Sequence, residues 1–276
     1  MNNFNKISVI MPIHYGTISN KLVSSINSIL TQTHLPNELI IVADGEITDE
    51  NINTINLLIN KNKDIDIDIK FLSYDLNQGP GFARHYAIKH AIGYYIAIMD
   101  SDDIAIPERL AFQVQFMNDH PNISLVGGYI QESNNIRKVP LSHDEIVTRI
   151  SEKSPVNNVT AFFKKEDYLI SGGYPSIRSS EDYTLWCRFI GNGFKIHNLN
   201  KILVRVDFDD SSIYRRSGLE HFKNDLFTQK ELLKYSLVNK RRFYYNLFRY
   251  FIFRNLPLFM KKFIYKKFLR KTKNRM

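Results

Sequence analysis

From Lys6 onward the chain alternates two spacings of apolar residues. KISVIMPIH is a nearly unbroken apolar run and predicts a strand, whereas NKLVSSINSILTQTH places Leu22, Ile26, Ile29 and Leu30 at helical spacing. ELIIVADG then reads as a strand, NINTINLLINKN as a helix, DIKFLSYD as a strand, GFARHYAIKHAIG as a helix and YYIAIMDSDD as a fourth strand. PERLAFQVQFMNDH predicts a helix with Pro107 in its first turn, and ISLVGGYIQE a further strand. This order predicts an α/β fold: a mostly parallel, doubly wound sheet with helices on both faces.

Beyond about residue 136 the regular alternation fades. NVTAFFKK and KIHNLNKILVRVDF read as strands, EDYTLWCRFIG as a helix, and SGGYP and DFDDSS as loops. Composition changes sharply near Glu231, which divides the chain into a catalytic unit of residues 1–231 and a tail of residues 232–276. Within the first unit, a regularly alternating half of about 1–135 precedes a less regular half of about 136–231.

With 276 residues, 43% of them hydrophobic, the chain can bury one substantial core. Its net charge of +9 is unevenly placed. Of the 37 basic residues 14 lie after residue 231, together with none of the 28 acidic ones, so the body carries 23 basic and 28 acidic groups. A nucleic-acid-binding body is thereby disfavoured. Cys187 is the single cysteine, so neither an internal disulfide nor a thiolate metal cage can form. The N-terminus lacks the pattern of a signal peptide, and a cytoplasmic location is expected.

Ligands of open parallel sheets sit beyond the carboxyl ends of the strands. Those ends fall at Pro12 to Tyr15, at Asp44 and Gly45, at Asp75 to Gly81, and at Asp100, Asp102 and Asp103. Neither GxGxxG after the first strand nor GxxxxGK[ST] occurs, which argues against dinucleotide-dependent dehydrogenases and P-loop hydrolases. One carboxylate before a helix is ordinary capping, and Asp103 is expected to serve the helix starting near Pro107. Three carboxylates in four positions repel unless a cation neutralises them. An Asp-X-Asp at a strand end suits Mg²⁺ or Mn²⁺ completed by substrate phosphates.

SVIMPIHYG, IIVADGEITD, NQGPGFARHYAIKHAIGYYIAIMDSDD, GGYPSIRSSEDYTLWCRFIGNG and LVRVDFDDSSIYRR occur in an order that resembles the family-2 glycosyltransferases of the GT-A fold. The resemblance runs from Ile7 to about Arg216 and implies transfer of a sugar from a nucleotide-diphosphate donor, a UDP-sugar, to an acceptor hydroxyl, with a donor-binding half of about 1–135 and an acceptor half of about 136–231. It implies that Pro12 and His14 line the nucleotide pocket, that Asp44 accepts a hydrogen bond from the base, and that Arg84 reaches the nucleotide. It further implies that Asp100 contacts ribose or metal-bound water, that Asp102 binds Mn²⁺ or Mg²⁺, and that Asp182 is the catalytic base.

Acidic residues in a first helical turn, such as Glu181 and Asp182, also favour the helix dipole without any catalysis. Two departures stand out. The family's Asp-Asp-Gly-Ser is Ala43-Asp44-Gly45-Glu46 here, and Asp207 stands where the family often has histidine, a position not assigned as a ligand. His197 is assigned to a strand, and Trp186 either supports the acceptor site or belongs to the core.

The tail, KRRFYYNLFRYFIFRNLPLFMKKFIYKKFLRKTKNRM, interleaves cations and aromatics without the ~20-residue apolar run of a spanning helix. Three readings follow: a helical segment on an anionic membrane surface, a basic face packing its aromatics on the domain, and binding of single-stranded nucleic acid, which is not expected. The leading function is an inverting, metal-dependent glycosyltransferase on the inner face of the bacterial cytoplasmic membrane. It would extend a polyprenyl-diphosphate-linked or other lipid-linked saccharide in surface polysaccharide synthesis. A nucleotidyltransferase making a nucleotide sugar and a non-catalytic nucleotide-binding module are the alternatives.

Overall fold

The computed structural model describes residues 6–207, 218–256 and 260. The expected loop DFDDSS and the tail after residue 256, Met260 excepted, lie outside the described residues apart from Asp207. Strands β1 (Ile7–Ile13), β2 (Glu38–Asp44), β3 (Asp68–Tyr74) and β4 (Tyr95–Ile98) run parallel in the order β3-β2-β1-β4. Helices α1 (Ser19–Leu30), α2 (Asp49–Lys61) and α3 (Pro80–His90) connect them.

The two-residue period of β1 decides which helices it meets. Val9 and Met11 join a core with Leu22, Ile26 and Ile29 of α1 and Ile55 of α2, whereas Ile10 joins a second core with Ala83, Ala87 and Ile88 of α3. Both faces of the sheet are therefore dry, which is why these strands read as continuous apolar runs.

Past β4 the sheet changes direction. It continues through β5 (Ile104–Ala105), α4 (Arg109–Asp119), β6 (Ile123–Glu132), β7 (Asn135–Arg137), α5 (His143–Arg149), β8 (Phe162–Lys164), α6 (Lys165–Ile170), α7 (Glu181–Gly191) and β9 (Lys195–Val206). Strand β8 lies antiparallel between β4 and β6, while β6 and β9 pair in parallel. Only the second half of NVTAFFKK is strand. Asn157 and Thr160 bond the backbone of β6 at Gly128 through their side chains, and Asn158–Thr160 forms a 3-10 turn. Pro107 precedes α4, whose N-cap is Glu108.

Two more helices, α8 (Leu219–Lys234) and α9 (Lys240–Asn255), complete the described chain. Residue 231 lies inside α8, and the next residue, Leu232, is fully buried in the second core with Phe243 of α9. Asn246 donates to Gln229 of α8 and to the Ser151 carbonyl, and Arg254 ion-pairs with Asp225 at 2.7 Å. One face of α9 is thus packed on the body. Among the described residues no helix is long and apolar enough to cross a membrane.

Candidate active site

Parallel strands leave their carboxyl ends and the following loops on one edge of the sheet, and a cleft of about 340 Å³ opens there. Pro12, His14, Asp44, Arg84, Asp100 and Asp102 all line it. Asn77, from the strand end at Asp75 to Gly81, lines it too, as does Arg178, which the sequence did not single out.

Asp44 ends β2 and is almost fully buried. Its Oδ1 accepts the Tyr74 hydroxyl at 2.8 Å and the Gln78 N–H at 2.7 Å, and its Oδ2 accepts the Gly79 N–H at 2.9 Å. A carboxylate offers about four acceptor directions, so one remains on Oδ2 for a donor in the cleft. The loop can approach this closely because Gly45 and Gly79 have positive φ, and a Cβ on Gly45 would stand 2.7 Å from the Asn77 nitrogen. His14 closes a turn after β1, its Nδ1 accepting the Gly16 N–H at 2.9 Å, which leaves Nε2 as the ring's donor.

Arg84, near the start of α3, is buried. Its Nη2 donates to Asp100 Oδ1 at 2.7 Å and its Nη1 to Glu181 Oε1 at 2.9 Å. Burial works against the cation, but Asp100, Tyr174 and Glu181 outweigh it and hold the arginine above its ordinary pKa. Nε is buried without a hydrogen-bond partner. The guanidinium expected to reach the nucleotide is therefore engaged with two carboxylates, and it links the strand-end aspartates to the first turn of α7.

Among the aspartates the environments diverge. Burial, and next the charge of Asp100, raises the Asp102 carboxyl. Asp103 is more deeply buried, and its carboxyl is pushed up to about 9, first by burial and then by Asp100 and Asp102. It does not cap the following helix. Its Oδ1 instead accepts the backbone N–H of Asp207 at 3.2 Å, because the β5–β9 pairing brings those segments together. The Asp207 carboxylate pairs with Lys21 at 2.7 Å. Crowded carboxylates with raised pKa are a donor set that a hard divalent cation relieves. Among the described residues no group of three His, Cys, Asp or Glu side chains could hold a metal alone, so the fit is to a cation that shares its shell with phosphate and water.

Asp182 is not among the residues that line the cleft; it lies in the first turn of α7 next to Glu181, which Arg84 holds, and its Oδ1 accepts the Tyr183 N–H at 2.7 Å. Burial and the neighbouring Asp182 raise the Glu181 carboxyl. Ser180, just before the pair, has φ 61° with no side-chain cap, a strained conformation for a non-glycine residue. Asn224 of α8 donates to Ser179 at 2.9 Å and Ser180 approaches Asp225 at 3.4 Å, so α8 braces this turn. Trp186 is fully buried in the second core. His197 lies in β9, stacked on Phe116.

Arg178 donates to the side chain and carbonyl of Asn77 at 2.9 and 2.7 Å, joining the α7 approach to the loop that holds Asp44. Its partner is 101 positions away, and no local spacing signals such a contact.

Over 273 residues the chain is 27% identical to the UDP-Gal:alpha-D-GlcNAc-diphosphoundecaprenol beta-1,3-galactosyltransferase of Escherichia coli, covering 96% of this chain and 97% of that protein. Staphylococcus aureus TarS residues 1–349, solved in complex with UDP-GlcNAc, superimposes with a TM-score of 0.66 over 89% of this chain and 71% of that one, at 20% identity. The mannosyltransferase PcManGT of Pyrobaculum calidifontis, solved with GDP-Man and Mn²⁺, gives a TM-score of 0.64 at 16% identity, over 92% and 70% of the two chains. These structures share the mixed α/β fold. The family model described as Glycosyl transferase family 2 matches residues 8–222, and the chain belongs to that family of glycosyltransferases.

Proposed function

We propose that the chain moves a hexose or N-acetylhexosamine from a UDP-sugar to a hydroxyl of a lipid-linked saccharide, with inversion and formation of a β-glycosidic bond. One observation carries this reading: Asp44, His14, Asp100 and Asp102 line a single cleft whose floor, Arg84, also grips the helix that bears Asp182. The E. coli relative, whose name specifies a UDP-galactose donor and a diphosphoundecaprenol-linked acceptor, supports the donor and acceptor classes.

Asp44 would orient the base, and His14 Nε2 would donate to the nucleotide. Asp102, with Asp100 beside it, would hold Mn²⁺ or Mg²⁺ at the diphosphate. When bound, that cation supplies fixed positive charge where the leaving group becomes more negative. The acceptor oxygen attacks the anomeric carbon from the face opposite the phosphate, the anomeric C–O bond to UDP breaks, and Asp182 takes the hydroxyl proton. A single displacement inverts the centre. A lipid-linked acceptor would place the enzyme on the inner face of the cytoplasmic membrane.

The test incubates the purified chain with Mn²⁺, a panel of UDP-sugars and a short-chain polyprenyl-diphosphate N-acetylglucosamine. Transfer with UDP release is expected. Pyrophosphate release from a nucleoside triphosphate and a sugar phosphate would establish the nucleotidyltransferase instead, and UDP binding without turnover a binding module.

A further inference from the structure

Helix α9 has two faces with different destinations. Phe243 and Asn246 point inward and are buried, and Arg254 holds Asp225. Around the other side Tyr244, Tyr245, Phe248, Phe251 and Ile252 are exposed by 67, 56, 66, 48 and 43%, with Phe251 at the margin, where its ring also meets Phe222 of α8 edge-on at 5.4 Å. At 100° per residue these five occupy an arc of about 120° on one side of the cylinder, with the exposed Arg241 among them. A soluble surface helix ordinarily turns charge to water on that side, and a contiguous exposed apolar face marks an interaction site.

The charge of the sequence from Leu232 onward selects the occupant. No acidic residue follows Glu231 in the sequence, whereas 14 Lys and Arg do. A second copy of this helix would bring like charge against like. An anionic bilayer instead offers phosphate for the cations and an interfacial layer for Tyr and Phe rings. With 16 residues the helix is about 24 Å long, enough to lie in the plane of the headgroups and too short and too basic to span.

We propose that the outward face of α9, formed by Tyr244, Tyr245, Phe248, Phe251 and Ile252, is the surface on which this glycosyltransferase seats on an anionic lipid bilayer. Because the opposite face is bonded to α8, and α8 braces the turn before Asp182, the seat is rigidly joined to the catalytic body rather than tethered to it. The purpose of the seat rests on the lipid-linked acceptor proposed above, but its test needs no acceptor.

The full chain is floated with vesicles of phosphatidylcholine alone and with 30% phosphatidylglycerol, beside the exposed-face variant Phe248→Ser/Phe251→Ser. A second variant, Tyr244→Ser/Ile252→Ser, guards against a local effect of the first. Circular dichroism and thermal melting identify any variant that fails to fold. The expected result is binding by the parent to phosphatidylglycerol vesicles and at least tenfold weaker binding by either folded variant, with UDP affinity unchanged. Equal binding by both folded variants and parent would overturn the proposal, as would a parent that ignores anionic vesicles. So would a parent that is a dimer in solution and a variant that is a monomer, since a second copy would then cover the face. Transfer to the lipid-linked acceptor without vesicle binding would sink this inference alone, and vesicle binding without transfer would sink the proposed function alone.

Discussion

Arg84 and Glu181 meet at 2.9 Å although 97 positions separate them, and the same guanidinium holds Asp100 at 2.7 Å. One buried cation thereby fixes the distance between the strand end that would carry the metal and the helix that would carry the base. Replacing Arg84 by Met leaves Glu181 buried without its partner, a loss of about 3–5 kcal/mol in stability for a broken buried pair. Arg84→Lys keeps the charge but not the two-pronged geometry, and should retain most of that stability while losing turnover. Urea titration and steady-state transfer rates separate the two effects.

Asp102→Asn removes the carboxylate most directly suited to the cation. UDP affinity in Mn²⁺ should fall to the value seen in a chelator, and transfer should drop on the order of 10²–10³-fold, the scale of losing one preorganised electrostatic contact to the leaving group. Calorimetry with and without Mn²⁺ reads the first quantity, and an unchanged Mn²⁺ dependence would take Asp102 out of the metal site.

Asp182→Asn should leave UDP binding intact, since Asp182 stands outside the cleft lining, while slowing transfer by about 10²–10⁴-fold, the usual contribution of a general base. Steady-state transfer rates beside calorimetric UDP binding read both quantities, and a variant that keeps the parent's rate would assign the proton elsewhere.

Three half-buried histidines make stability depend on pH. Burial lowers the pKa of His85, His143 and His197 below the ordinary value of about 6.5, with the nearby cation Lys89 next for His85 and His120 next for His197. At these three groups the unfolded chain therefore binds more protons than the folded one below about pH 6.5, and their contribution to stability falls as pH falls. His143 Nδ1 also accepts the Ile196 N–H, a bond that protonation removes. The raised carboxyl of Asp103 works the other way, favouring the folded state as pH falls, so the histidine contribution is read as a difference: between pH 7.5 and pH 5 the melting temperature of the parent should shift downward relative to that of His143→Gln.

Much of the first half of the chain was legible because dry parallel strands announce themselves as apolar runs, and their polar ends line the cleft. The second half was less so. Strand β8 is three residues long and antiparallel among parallel neighbours, an arrangement set by contacts rather than by local pattern. Asp103 was misread as a helix cap because the sequence does not show that Asp207 folds back against it. Arg178 was passed over because it touches Asn77 only through the tertiary fold. The tail's mixture of cations and aromatics was visible, but its sorting onto two faces of α9 required knowing which side meets α8.

Asp44 is braced by Tyr74, Gln78 and Gly79 before any nucleotide arrives. The contact proposed for the base is thus set largely by main-chain amides, which point mutation cannot easily rewrite. Descendants of this chain should keep their nucleotide while changing their sugar and acceptor, because Arg178 and the approach to α7 reach the loop that holds Asp44 through side chains, which can be exchanged one at a time. Conservatism toward the carrier and freedom toward the cargo would then be properties of the same cleft.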